Sequence, residues 1–128
     1  MALLEKLTKR AQKIYPRILL PESSDQRVIQ AALSLSTQKV AKIVLLGNED
    51  EICSQLEQSG ESKRHDLEFI DPKDKKLRND YAKTLFERRK HKGLELYESL
   101  DLVNDPTVFA MLALQRDEVD GVVIGAIT

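Results

Sequence analysis

Ala41-Lys42-Ile43-Val44-Leu45-Leu46-Gly47 is the stretch on which the fold turns. A half-solvated strand would alternate apolar and polar side chains, whereas this run is continuously apolar and closed by a glycine. It therefore reads as a strand covered on both faces, as in parallel sheets flanked by helices.

Downstream, Asn48 with Glu51 three residues later has the form of a capping box, and Glu49 and Asp50 place negative charge in a first helical turn. A helix to about Ser59 and Gly60 follows, then a polar surface loop from Ser59 to Asp66. Leu67-Glu68-Phe69-Ile70 is another strand, stopped by Asp71-Pro72, and Lys73-Asp74-Lys75-Lys76 is a solvated helix start. Upstream, Leu3, Leu7, Ala11 and Ile14 fall on one side of an amphipathic helix that Tyr15-Pro16 ends. Arg17-Ile18-Leu19-Leu20 is a short buried strand. Pro21-Glu22-Ser23-Ser24-Asp25 is a turn with good capping residues, and Val28, Ile29, Ala32 and Leu35 give the next helix its apolar face.

Toward the end, Leu94, Tyr97 and Leu100 indicate a short helix. Asp105-Pro106 is an N-cap with proline at the first helical position, and Val108, Phe109, Met111, Leu112 and Leu114 are core residues of the helix that follows. Val119-Asp120-Gly121-Val122-Val123-Ile124-Gly125-Ala126 is a fourth strand running into small residues. The order βαβαβααβ predicts an α/β fold, a mainly parallel sheet of about four strands with helices on both faces, over residues 1–128 as one domain. Ligands of such sheets sit beyond the carboxyl ends of the strands. Leu20 to Asp25, Leu46 to Asn48 and Ile124 to Thr128 meet there.

The balance of 20 Lys+Arg against 21 Asp+Glu in 128 residues gives no electrostatic reason to expect nucleic acid or an anionic membrane as partner. No signal-peptide core and no run near the roughly 20 apolar residues of a membrane span is present, so a cytoplasmic location is the expectation. The single cysteine, Cys53, excludes an internal disulfide and reads as a packed thiol rather than a nucleophile. The sequence contains no G-x-G-x-x-G and no phosphate loop, and no metal set forms around His65 or His91. The Pro21-to-Asp25 turn delivers a helix N-terminus, but Glu22 and Asp25 favour a capped helix over an anion site. Gly125-Ala126 suits either a close backbone approach to a ligand or a tight turn.

One charge stands out. Leu77, Tyr81, Ala82, Leu85 and Phe86 recur at helical spacing and lead into Glu87-Arg88-Arg89-Lys90-His91-Lys92, ended by Gly93 as a left-handed stop. Cations at a helix C-terminus complement its dipole by about 0.3–1 kcal/mol each, which accounts for Arg88, Lys90 and His91. Arg89, four residues after Leu85, leaves from the buried stripe if the helix continues, and there it needs an anionic partner. Spacing alone leaves that partner open between a ligand anion and an internal carboxylate.

Ile18-Leu19-Leu20-Pro21-Glu22 with Asp25 and Arg27, Val44-Leu45-Leu46-Gly47, Ile70-Asp71-Pro72, Arg89-Lys90-His91-Lys92-Gly93, Asp105-Pro106 and Val119 to Ala126 together resemble, in order and spacing, the front part of the phosphotransacetylase (phosphate acetyltransferase) family. The resemblance implies one lobe of a two-lobed α/β acyltransferase, usually a homodimer. It also implies reversible acetyl transfer between acetyl-CoA and phosphate, giving acetyl phosphate and CoA, with coenzyme A as substrate and neither cofactor nor metal. The family's R-x-x-K-G arginine falls on Arg89, and its cleft-lining turn on Gly125, Ala126 and Thr128. The Ser, Arg and Asp that carry its chemistry lie farther along, which leaves no catalytic residue in this chain. Where the family commonly reads S-G-A, this chain has Ile124-Gly125-Ala126; isoleucine donates no hydroxyl hydrogen bond, leaving backbone contacts. A phosphate butyryltransferase type and a non-catalytic phosphate-binding or interaction module are the rival readings.

Overall fold

The computed structural model describes residues 2–58 and 66–124. In chain order these form α1 (Ala2–Ile14), β1 (Arg17–Leu20), α2 (Gln26–Thr37), β2 (Lys42–Leu46), α3 (Glu49–Gln58), β3 (Leu67–Ile70), α4 (Lys75–Arg89), a 3-10 turn (Lys90–Lys92), α5 (Leu96–Leu102), α6 (Pro106–Gln115) and β4 (Gly121–Val122). The strands lie in the order β3-β2-β1-β4, and every pairing is parallel. The expected α/β architecture, with four parallel strands and helices on both faces, is the one observed.

Strand β2 shows why. Ile43 and Leu45 pack with Val28, Ile29, Ala32 and Leu33 of α2 and Ile52 and Leu56 of α3. Val44 and Leu46 point the other way, into a second core with Tyr81 and Ala82 of α4 and Phe109, Ala110, Leu112 and Ala113 of α6. All four of these strand residues are buried, so neither face is spare for water. The expected caps are also present: Asp25, Asp74 and Asp105 each accept a backbone N–H of the first turn they open, and Asn48 accepts from Glu51.

The expected helices α1 and α5 both form, and one expectation, the extent of the fourth strand, is corrected. Helix α1 forms, but Leu3, Leu7 and Ile14 stay 71%, 53% and 68% exposed. In α5, which the capping box between Glu95 and Glu98 opens, the buried residue is Ser99, while Tyr97 is 72% exposed. In β4 only Gly121 and Val122 pair as strand residues, flanked by Asp120 N–H to Arg17 O at 2.7 Å and Val123 N–H to Leu19 O at 3.1 Å. This is an edge strand among the described residues, and Val123 and Ile124 are exposed. The expected surface loop from Ser59 onward falls, up to residue 65, outside the described residues.

Under the sheet, Tyr81 is fully buried, its ring stacked on Phe109 with centroids 4.3 Å apart. The Arg116 guanidinium lies 4.9 Å from the Tyr81 centroid and donates to Glu118 Oε1 at 3.2 Å and to Thr84 Oγ1 at 2.8 Å. The Tyr81 hydroxyl donates to the Glu118 carboxylate. Burial first, and then that carboxylate, pushes the phenol above its ordinary pKa.

Leu45→Ala should cost about 2–5 kcal/mol in urea unfolding, whereas Tyr97→Ala should stay within about 0.5 kcal/mol. The Tyr81 proton supplies a second expectation. The folded chain keeps a proton that an unfolded tyrosine releases near about pH 10, so this contribution is complete below that pH and is lost as pH rises above it. Tyr81→Phe should be less stable by about 1–2 kcal/mol at neutral pH, with a shallower alkaline decline in a series of urea melts.

Candidate functional site

A groove is built where α4 stops. Asp74 caps its start by accepting from Leu77 N–H, and Tyr81 and Ala82 are its buried residues. At Arg89 the backbone leaves helical geometry, with φ −119° and ψ −3°, and tightens into the 3-10 turn. Gly93 then adopts φ 88° and ψ 9°, the left-handed stop that its position predicted, and allows the chain to reverse into α5.

This geometry corrects the expected setting of Arg89. The α-helical register ends at that residue, so Arg89 is exposed and does not continue the buried stripe of Tyr81 and Leu85. It lines a groove of about 740 Å³ between α4, the 3-10 turn, α5 and α6. Arg88 and Lys92 stand with it, and Leu85, Leu94, Leu102, Val108, Met111 and Leu112 provide apolar walls. The volume falls within the roughly 300–1,000 Å³ of ordinary small-molecule clefts.

Charge in the groove is mainly positive, with Arg88, Arg89 and Lys92 against the one carboxylate of Glu98. Lys90 pairs with Glu87 at 2.9 Å, and Glu98 lends Oε1 to the Glu95 N–H at 3.0 Å to cap α5. Among the described residues, Arg88, Arg89 and Lys92 make no ion pair. Of the two partners left open by the spacing, no internal carboxylate pairs with Arg89 among the described residues; the residue lines a solvent-accessible cleft.

Spacing did not identify the apolar half of this groove. Met111 was expected in the core and is instead 42% exposed, at the groove with Leu102 at 43%. Helical periodicity marks an apolar stripe without distinguishing core from cleft. Arg88 and Lys92 carried a signal, a cluster of like charge at a glycine stop, but the helix dipole accounted for Arg88 equally well.

At the carboxyl ends of the strands, the turns after β1 and β2 do meet: Ser23 Oγ donates to the Leu46 carbonyl. A Cβ on Gly47 would come within 2.9 Å of Ile52 Cδ1 and 3.2 Å of Ser23 Oγ, so a larger residue there would have to displace those side chains. Asp25 caps α2 and pairs with Arg27 at 2.9 Å, which holds its carboxyl below the usual range and supports the capped-helix reading. Neither turn lines the groove of Arg89. Gly125, Ala126 and Thr128 lie outside the described residues, as does His65; Ile124 is 40% exposed. His91 is exposed on the 3-10 turn, and among the described residues no cluster of His, Cys, Asp and Glu is arranged to hold a metal.

Cys53 is half-buried on α3. Burial, reinforced by Asp50 and Glu57, raises its thiol pKa, so it is a packed thiol and not an activated nucleophile. Alkylation at about pH 8 should be several-fold slower than that of a free cysteine, followed by mass spectrometry.

The class is that of a parallel α/β sheet with a cation-rimmed apolar groove on its α4–α6 side. More particularly, the chain belongs to the family described as "Phosphate acetyl/butaryl transferase", whose model matches residues 2–128. It is 36% identical over 127 residues to the phosphate acetyltransferase of Acetivibrio thermocellus, covering 99% of this chain and 37% of that protein. With the phosphate acetyltransferase of Escherichia coli it shares 36% identity over 121 residues, 94% of this chain and 17% of that one. Among solved structures, the EutD phosphotransacetylase from Staphylococcus aureus superposes with a TM-score of 0.80 at 26% identity, over 94% of this chain and 36% of that one. A phosphotransacetylase from Streptococcus pyogenes gives 0.78 at 25% identity, over 99% of this chain and 38% of the other. The chain thus spans well under half the length of these relatives.

Proposed function

We propose that the chain is the part of a phosphate acetyltransferase that contributes Arg89 to the binding of phosphate or acyl phosphate. The observation that carries this reading is an exposed guanidinium with no ion-pair partner among the described residues, on the rim of a groove, in a chain of the phosphate acetyl/butyryl transferase family. In the reaction, a phosphate oxygen attacks the thioester carbonyl of acetyl-CoA. The tetrahedral adduct collapses with loss of the CoA thiolate, which takes up a proton, leaving acetyl phosphate. No electron changes hands, so the reaction calls for no redox cofactor; coenzyme A enters as substrate, and the family resemblance implies no metal.

Arg89 suits the phosphate because a guanidinium gives a planar, bidentate fork to two phosphoryl oxygens and remains charged at any working pH. Gly125, Ala126 and Thr128 are assigned to the same substrate by the family resemblance, through backbone contacts that Ile124 leaves intact. The groups that stabilise the adduct and take the thiol proton belong, on that resemblance, to segments beyond Thr128. This chain supplies binding rather than a complete reaction centre. A homodimer in the cytoplasm, without nucleic-acid or membrane partners, completes the reading. Supporting it are the formal net charge of −1 and the absence, among the described residues, of a helix long and apolar enough to cross a membrane.

The complete gene product, given acetyl-CoA, should release CoA thiol only when phosphate is present; no phosphate-dependent release overturns the assignment. In that protein Arg89→Ala should lower kcat/KM for phosphate by about 10- to 100-fold, the scale of a lost charged hydrogen bond, while Arg89→Lys recovers part of it. An unchanged enzyme would return Arg89 to a structural role.

A further inference from the structure

We propose that two copies of the chain pair about a two-fold axis through α1 and α5, the apolar face of α1 in each copy seated on the outward face of α5 in the other, with Arg10 of one copy against Asp101 of its partner. The inference rests on the homodimer of the reading above and names its contact surfaces; the reaction plays no part in it.

Helix α1 is held near its C-terminal end, where Gln12 Nε2 donates to the Gln38 carbonyl at 2.8 Å and the Tyr15 hydroxyl to the Asp66 carboxylate at 3.1 Å. Every side chain described between Leu3 and Ile14 is exposed. Leu3, Leu7, Arg10 and Ile14 follow one another at spacings of four, three and four, the seam by which one helix packs on another. Three of its four members are large and apolar, and all of them stand in solvent. Such a face is built for a cover.

A second uncovered face lies on α5. Leu96 and Tyr97 are exposed there, and Asp101, also exposed, stands four residues after Tyr97 on the same side of the helix. The two faces carry opposite charge. Along α1, Lys6, Lys9, Arg10 and Lys13 stand against Glu5, whereas the stretch from Glu95 to Asp105 holds Glu95, Glu98, Asp101 and Asp105 and neither Lys nor Arg. Among the described residues, Arg10 and Asp101 make no ion pair.

The faces do not cover each other within one molecule, because both are in solvent there. Pairing α1 with the α1 of another copy would set like charges together, while α5 offers an apolar surface of the opposite sign. One helix on one helix falls short of the roughly 1,200 Å² of total surface that a stable interface buries, and a two-fold axis supplies the contact twice.

Sedimentation equilibrium of the 128-residue chain should show a dimer that weakens as salt rises. Arg10→Asp and Asp101→Arg should each weaken it by about tenfold or more, and the double variant should recover most of that loss by remaking the pair with its charges exchanged. Leu7→Glu should leave a monomer, and Tyr97→Ala, nearly neutral for folding, should weaken association several-fold. All four positions are exposed, and circular dichroism confirms that each variant folds. A wild-type chain that stays monomeric at millimolar concentration overturns the proposal, as does a dimer indifferent to these substitutions or a charge exchange that recovers nothing. Capture of a monomeric chain on phosphatidylglycerol vesicles, lost in Leu7→Glu, gives α1 to a lipid surface and overturns it too. The complete gene product separates these surfaces from the homodimer reading. A dimer there that none of the substitutions disturbs overturns the α1–α5 contact and leaves the homodimer standing; a monomer overturns the homodimer itself.

Discussion

Everything in this chain depends on burying β2 from both sides. Its four apolar residues alternate between two cores, Ile43 and Leu45 toward α2 and α3, Val44 and Leu46 toward α4 and α6. At about 25 cal/mol per Å² of apolar surface, neither face can be left to water without forfeiting a large part of a marginal stability. Strand β2 is therefore central, with β1 and β3 paired to its two edges. The chain must also supply helices on both sides of the sheet, which parallel pairing requires in any case because its connections cross over.

The connection from β3 to β4 follows from that constraint. Strand β3 lies at one edge of the sheet and β4 at the other, so the chain between them has to cross β2 and β1 on the face that α2 and α3 leave free. One helix does not suffice: α4, α5 and α6 fill the second face, and the reversal between α4 and α5 at Gly93 opens the groove. The groove is thus a by-product of how a three-helix connection covers a sheet, and the charge cluster stands there because a helix must end there.

The elements whose causes are local were legible in the sequence. The four strands, the caps at Asp25, Asn48 and Asp105, and the left-handed stop at Gly93 each depend on residues within a few positions of one another. What spacing could not settle was which neighbour lies against an apolar stripe. Leu3, Leu7 and Ile14 form a well-patterned helix face that stays in solvent, and Met111 belongs to a pattern continuous with Phe109 and Leu112 yet faces the groove. Arg89 was legible as a charge out of place, but its placement turned on a switch from α to 3-10 geometry that no residue type announces. The expected tail of the candidate site, Gly125 to Thr128, lies outside the described residues.

The end of the helix also explains how three cations can stand together before any ligand arrives. Carbonyl groups at the C-terminus of α4 carry partial negative charge, which offsets crowding of Arg88, Arg89 and Lys92 by about 0.3–1 kcal/mol each. Lys90 is neutralised by Glu87. Exposure to solvent further screens their mutual repulsion, a screening that a buried arginine on the α4 stripe would have lacked. A guanidinium on the inward face would have required a permanent carboxylate, and a permanent carboxylate would compete with any phosphate. By ending the helix at Arg89, the chain keeps the charge at an accessible rim, with no ion-pair partner among the described residues.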